Sequence, residues 1–168
     1  MQVSKLIKEN VLSLVNVLPK GTKLLGIDLG TKTIGLAVSD PSLRVASAIM
    51  TLTRSKLKNN LPEISHIASE FEVGGIIMGL PINMDGTLSA RAQATKDWAF
   101  SLTETFSIPI AFWDERLSTA AVERAMISAD VSRKKRAQQV DAAAATYILQ
   151  GALDFIQFNA ASGPTDKK

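Results

Sequence analysis

The 168-residue chain contains no cysteine and one histidine, His66. The first absence excludes a disulfide framework, a thiolate zinc site and cysteine catalysis. The second excludes multi-histidine metal centres and leaves a single candidate for any Ser-His-Asp triad. Aromatic residues are scarce at 5%, yet 46% of residues are hydrophobic and 21% charged. That balance is globular and excludes disorder, collagen-like repeats and a coiled coil. No apolar run reaches the ~18–20 residues of a membrane span. Lys5 and Lys8 ahead of Val11-Leu12-Ser13-Leu14-Val15 imitate a targeting segment, but Glu9, Asn10 and Asn16 interrupt it and no small-x-small cleavage site follows. A cytoplasmic protein with no membrane partner is expected. Nineteen basic residues against sixteen acidic ones give +3, a mild bias compatible with an anionic partner.

The length suits one domain of ~100–200 residues. An amphipathic helix is predicted over about Val3 to Leu18, before the break at Pro19-Lys20-Gly21. Leu24 to Leu29 is a short apolar run bounded by glycines, Thr33 to Ser39 its hairpin partner, and Arg44 to Leu52 a third strand. Helical spacing follows at Leu57, Leu61, Ile64, Ile67, Ala68 and Phe71. Next come a strand over Gly74 to Leu80, an irregular loop from Pro81 to Gly86, a helix from Ser89 to Phe106 and a strand over Pro109 to Trp113. Helices at about Ser118 to Ser128 and Gln138 to Phe158, with a basic connector between them, close the chain before a short tail. The order β-β-β-α-β-α-β-α-α predicts an α/β fold. Its sheet is mixed and five-stranded, with three antiparallel strands, then parallel ones, and helices on its faces.

Acids stand out against this frame. In Leu24-Leu25-Gly26-Ile27-Asp28-Leu29-Gly30, alternation puts Leu25, Ile27 and Leu29 on one face and Gly26, Asp28 and Gly30 on the other. Asp28 either caps the following turn or meets an electropositive group, because a buried carboxylate needs a partner. Asp141 heads the stripe Asp141, Ala145, Ile148, Ala152 on the last helix. It serves either the helix dipole near that end or a site for which the neighbouring alanines leave room. Asp114 and Glu115 follow a strand at the end where open α/β sheets place ligands, though loop chemistry explains either equally well. Three hard oxygen donors without histidine or cysteine suit Mg²⁺ or Mn²⁺ better than zinc. The chemistry such a cluster serves is phosphoryl transfer to water.

The remaining candidates fit a polyanion. Arg133-Lys134-Lys135-Arg136 supplies four consecutive positive charges close to Asp141; it is a solvated face or a phosphate clamp. Asn83, in the loop after the fourth strand, reaches phosphate or sugar, or else caps its own backbone together with Asp85. Arg91 lies within reach of a phosphate from the following helix. His66 reads as a partly exposed helix residue, and Trp98 and Trp113 as core.

The stretches GIDLGTKTIGLAVSD, GLPINMDG, FWDERLST and KKRAQQVDAAAATYILQ resemble, in order, the four characteristic blocks of the YqgF family, spanning about Leu24 to Leu153. That family is similar to Holliday-junction resolvases of the RuvC type and implies a ribonuclease-H-like fold and an endonuclease acting in 5′ maturation of pre-16S ribosomal RNA. By this resemblance Asp28, Glu115 and Asp141 are the catalytic, metal-binding acids, and Glu115 is selected over Asp114. Lys32, Asn83, Arg91 and Arg116 sit in matching blocks and are read as nucleic-acid contacts.

The implied division is an N-terminal helical extension over 1–22, outside the resemblance, a nuclease domain over 23–160 and a flexible tail over 161–168, in a monomer or homodimer. The extension would dock on the domain, mediate self-association or extend the RNA surface. Two alternatives share the fold: a resolvase of branched DNA using the same acids, and a non-catalytic RNA-binding module. Asp28-Leu29-Gly30-Thr31-Lys32 also resembles the first phosphate loop of actin-like ATPases and sugar kinases. Those need two such domains, which 168 residues cannot supply.

Overall fold

The computed structural model describes residues 3–117 and 133–161, with side chains described over 5–116 and 143–160. The strands are β1 (Lys23–Leu29), β2 (Thr33–Ser39), β3 (Ala46–Thr53), β4 (Val73–Leu80) and β5 (Ile110–Asp114). They form one sheet in the order β3-β2-β1-β4-β5. β1 pairs antiparallel with β2 and β2 with β3, while β1–β4 and β4–β5 are parallel. The parallel pairs require crossovers, supplied by the helices α3 (Leu57–Glu70) and α4 (Ala90–Thr105). The chain ends in the long helix α5 (Arg133–Ala161). The mixed five-stranded sheet, three antiparallel strands and then parallel ones with helices on its faces, is the one expected.

Period-two alternation divides the core into two layers. Leu25, Ile27 and Leu29 of β1 pack with Ile64 and Ile67 of α3 and with Trp98 and Leu102 of α4. Leu24 of β1, Ala37 of β2 and Ile77 of β4 face the other way, against Ala145, Ile148, Leu149 and Ala152 of α5. The direction of α5 matters for the site. Gln150 accepts the Ala46 N–H at 2.8 Å, and one and a half to two turns further on Gln157 donates to the Leu43 carbonyl at 3.0 Å. The helix therefore runs toward the β2–β3 turn, and its N-terminal part lies toward the carboxyl ends of β1 and β4.

Two expectations are corrected. The predicted N-terminal helix is two short ones, α1 (Val3–Leu6) and α2 (Val11–Asn16). Between them Ile7 bridges Ile110 of β5, and Lys8 donates its N–H to the Ile110 carbonyl at 2.7 Å. Satisfying that sheet edge outweighs continuing one helix, and Asn10 caps the restart by accepting from the Ser13 N–H at 2.9 Å. The last helix begins at Arg133, not Gln138. The basic run Arg133–Arg136 is thus helical, as residues with good helix propensity allow, and is not a connector. The predicted helix over Ser118 to Ser128 and the tail beyond 161 lie outside the described residues.

Candidate functional site

Asp28 sits one residue before the carboxyl end of β1 and is buried, 8% exposed. Its face follows from Gly26 two residues earlier. A Cβ there would stand 2.8 Å from Leu149 Cβ and 3.1 Å from the Ala145 carbonyl of α5, so this side of β1 lies directly under the helix. Asp28 points to the same side, one strand step closer to the N-terminal part of α5.

The parallel register pairs Gly26 with Ile77 and Ile27 with Met78, which sets Asp28 beside Gly79, at ~4.8 Å strand spacing. Gly79 has no side chain, and that space is used. A Cβ on it would stand 2.8 Å from Glu115 Oε1, 2.9 Å from Glu115 Cγ and 2.5 Å from Ile148 Cδ1. Glu115, the first residue of the 3-10 turn Glu115–Leu117 after β5, therefore folds back across β4 toward Asp28. The two carboxylates reach one region of the α5-facing surface from strands separated by β4.

Asp114 has a different fate. Arg116 forks onto it, with Nη2 to Oδ2 at 2.6 Å and Nε to both oxygens at 2.9 and 3.0 Å. The Arg116 guanidinium bonded to Asp114 holds its carboxyl below the usual carboxylate range, and in return Arg116 is shifted further up. The fork uses up the neighbouring acid and leaves Glu115 as the one turned inward.

An open cleft of about 520 Å³ lies in front of Glu115 and is lined by Asn83, Arg91 and Arg116 as well. Four of the predicted site residues thus share one surface. Arg91 Nη2 donates to the Leu29 carbonyl at 3.4 Å, tying the cleft to the residue after Asp28. The wall formed by the β4–α4 loop is self-tied. Asn83 Nδ2 donates to Thr87 Oγ1 at 3.0 Å, and Asp85 accepts from the Thr87 N–H at 2.9 Å and its hydroxyl at 2.6 Å. The Thr87 hydroxyl holds the Asp85 carboxyl below its ordinary range. Gly86, at φ +88°, supplies the left-handed turn between them. Asp85 caps the backbone of its own loop, while the Asn83 side chain bonds the Thr87 hydroxyl and lines the cleft.

The model of the family described as "RuvX: Holliday junction resolvase" matches residues 22–155. The chain belongs to the RuvX (YqgF) family. It is 47% identical over 149 residues to the "Putative pre-16S rRNA nuclease" of Cereibacter sphaeroides, covering 89% of this chain and 93% of that relative. The protein of the same name from Chelativorans sp. is 53% identical over 137 residues, 82% of this chain and 86% of the relative. Among solved structures, Thermus thermophilus RuvC in complex with Holliday junction substrate superposes with a TM-score of 0.51 at 13% identity, over 81% of this chain and 96% of that one. The Fowlpox virus resolvase bound to Holliday junction DNA gives 0.50 at 10% identity, over 80% and 99%. At such identities the likeness is one of fold.

On this RuvX-family frame, Asp141 occupies the stripe of α5 that continues through Ala145, Ile148 and Ala152, all fully buried. It stands nine residues into the helix, which removes the helix-dipole account. Its side chain, like those of Arg133, Lys134, Lys135 and Arg136, lies outside the described residues. Among the described residues no three acids or histidines form a metal-binding group; the described pair is Asp28 and Glu115. The donor chemistry fits a hard divalent cation, since both are carboxylates and the one histidine, His66, lies exposed on α3 beside Glu70. Lys32 is exposed in the β1–β2 turn. Trp98 is buried as expected, whereas Trp113 is half-buried, tilted against Phe155 at 5.8 Å. One cation escaped the sequence reading: Arg54, the residue after β3, donates from Nη1 to the Gly30 carbonyl at 2.6 Å. No spacing rule links it to Asp28; only the β2–β3 pairing does.

Proposed function

We propose that this protein is a metal-dependent nuclease that hydrolyses phosphodiester bonds, acting in 5′ maturation of pre-16S ribosomal RNA in the cytoplasm. The observation that carries the reading is the approach of Asp28 and Glu115 across side-chain-free Gly79, with Asp114 diverted onto Arg116. The names of the relatives from Cereibacter and Chelativorans supply the substrate class.

Asp28, Glu115 and Asp141 would hold Mg²⁺ or Mn²⁺. Bound there, the cation would supply activation of the attacking water and charge stabilisation at the leaving oxygen. The protein's own residues do the rest. Arg91 and Arg116 line the cleft beside Glu115 and would orient the phosphates next to the scissile one, with Asn83 donating to phosphate or sugar. Lys32 would extend that contact from the β1–β2 turn, and Arg133, Lys134, Lys135 and Arg136 would hold the flanking backbone near the start of α5. Water attack breaks the bond from phosphorus to the 3′ oxygen, leaving a 5′-phosphate and a 3′-hydroxyl.

The test is Asp28→Asn assayed on a 5′-extended 16S precursor with Mg²⁺. The expected loss is ~10²–10³-fold, the rate equivalent of several kcal/mol of lost charge stabilisation, with an unchanged circular dichroism melt. Full cleavage by the variant rejects the assignment. A second reading, resolution of branched DNA, is favoured by the family's description and by the resolvase fold. Competing a labelled four-way junction against the RNA precursor separates the two. Mg²⁺-independent affinity with no cleavage of either would leave a binding module.

A further inference from the structure

The turn that follows Asp28 is unusually well held, and the residue that holds it is Arg54. The antiparallel register sets Thr53 opposite Thr33, which brings Arg54 level with Lys32. Its N–H donates to the Lys32 carbonyl at 2.9 Å, while Nη1 donates to the Gly30 carbonyl at 2.6 Å. Inside the turn the Gly30 N–H donates to the Thr33 carbonyl at 2.9 Å. A Cβ on Gly30 would stand 2.9 Å from that same oxygen, so the turn has little slack. From the β4 side, Arg91 reaches the Leu29 carbonyl. The carbonyls of residues 29, 30 and 32 are thus all taken by two arginines arriving from opposite flanks.

Arg54 is itself braced by a buried residue. Asn60, 2% exposed in the first turn of α3, accepts the Ser55 N–H at 2.8 Å and donates to the Thr53 carbonyl at 3.0 Å. These bonds fix the backbone on both sides of Arg54. The guanidinium forms no ion pair with a described residue and is directed at backbone two positions beyond Asp28. A neutral side chain would fill the space; a charged donor aimed at the Gly30 carbonyl does more, because it sets where the turn sits.

Resting on the nuclease reading above, we propose that Arg54 is a positioning residue for Asp28. Braced by Asn60, it locks the Gly30–Lys32 turn and so fixes the direction of the Asp28 carboxylate at the end of β1. It acts through backbone and touches neither phosphate nor cation.

Three measurements on Arg54→Ala and Arg54→Lys test this. Both variants keep the backbone bond from residue 54 to Lys32, so hairpin register is retained and a thermal melt verifies folding. In Arg54→Ala the Gly30 amide should exchange with solvent about tenfold faster or more, since loss of the guanidinium loosens the turn. Mn²⁺ affinity, titrated on the protein alone, should weaken ~10–100-fold, as for other residues that orient metal ligands. On the RNA precursor kcat should fall with little change in KM, and Arg54→Lys, which restores one donor, should recover part of each loss. Unchanged exchange at Gly30 overturns the proposal. So does faster exchange with unaltered Mn²⁺ affinity, or a change confined to KM, which would make Arg54 a phosphate contact. If wild-type protein neither binds Mn²⁺ nor cleaves, the nuclease reading fails and takes the proposal with it; the exchange result then shows that the turn contact was not at fault.

Discussion

At the scale of single residues, Gly79 decides whether two acids can meet. Its missing side chain is the space that Glu115 and Ile148 occupy, and the methyl of alanine would stand 2.5 Å from Ile148 Cδ1 and 2.8 Å from Glu115 Oε1. Overpacking of this kind costs ~1–3 kcal/mol, or ~2–12 °C in melting temperature for a chain of this size. Gly26→Ala is the matched control: the atoms it crowds most closely are Leu149 Cβ and the Ala145 carbonyl, at 2.8 and 3.1 Å, and not Glu115. Gly79→Ala should therefore lose far more cleavage activity than Gly26→Ala at an equal loss of stability, read by melts and precursor cleavage in parallel. Equal activity loss per degree would mean that both act only through the packing of α5. Asp28 needed no structure to be noticed, because a carboxylate within an apolar strand is anomalous on the page. The choice between Asp114 and Glu115 was not legible from neighbouring residues, since adjacent acids at a strand end look alike until Arg116 is seen to fork onto one of them.

At the scale of elements, the β2–β3 connection shows how one carboxylate organises a turn. Asp40 accepts from the N–H groups of Ser42, Arg44 and Val45 at 3.1, 2.7 and 2.9 Å, and from the Ser42 hydroxyl. These bonds hold Leu43 at φ +58°, a left-handed conformation costing ~1–2 kcal/mol for a residue with a side chain. The Ser42 hydroxyl and then the Val45 N–H keep the Asp40 carboxyl well below its ordinary value of 3.8. A carboxyl lowered in the folded state stabilises fully above its unfolded value and loses that contribution as the pH falls below it. Asp40→Ala should thus cost ~1–2 kcal/mol at neutral pH, discounted for an exposed turn. The gap from wild type should narrow on titration below about pH 4. A gap independent of pH would assign the effect to the backbone alone. Strand alternation and helical spacing made all five strands and the two crossover helices readable, within a residue or two at most ends. The N-terminal break was not readable, because Ile7 and Lys8 leave the helix to satisfy Ile110, a partner about a hundred residues away. Arg54 was hidden for the same reason: its significance comes from strand pairing, which local pattern does not encode.

At the scale of the whole molecule, the segment ahead of β1 belongs to the fold even though the RuvX family model begins at residue 22. Val11 and Leu14 of α2 are 2% and 0% exposed and sit in the same core layer as Leu24, Ile77, Ala111 and Ile156. Burying a Val and a Leu is worth ~1.5–3 kcal/mol each, a large share of the ~5–15 kcal/mol that stabilises a typical domain. The same segment closes part of the outer edge of β5 through the Ile7–Ile110 bridge and the Lys8 N–H, and open edges invite pairing with other chains. Deleting residues 2–16 should therefore lower the melting temperature by at least ~6 °C, taking ~3 kcal/mol at ~2 °C each, and should produce concentration-dependent association visible by light scattering. Val11→Ala combined with Leu14→Ala should reproduce the loss of stability while keeping the edge covered, and so should remain monodisperse. A deletion that melts like the full chain would make this segment an appendage, whereas association in the double variant as well would place its cause in the uncovered core and not in the edge of β5.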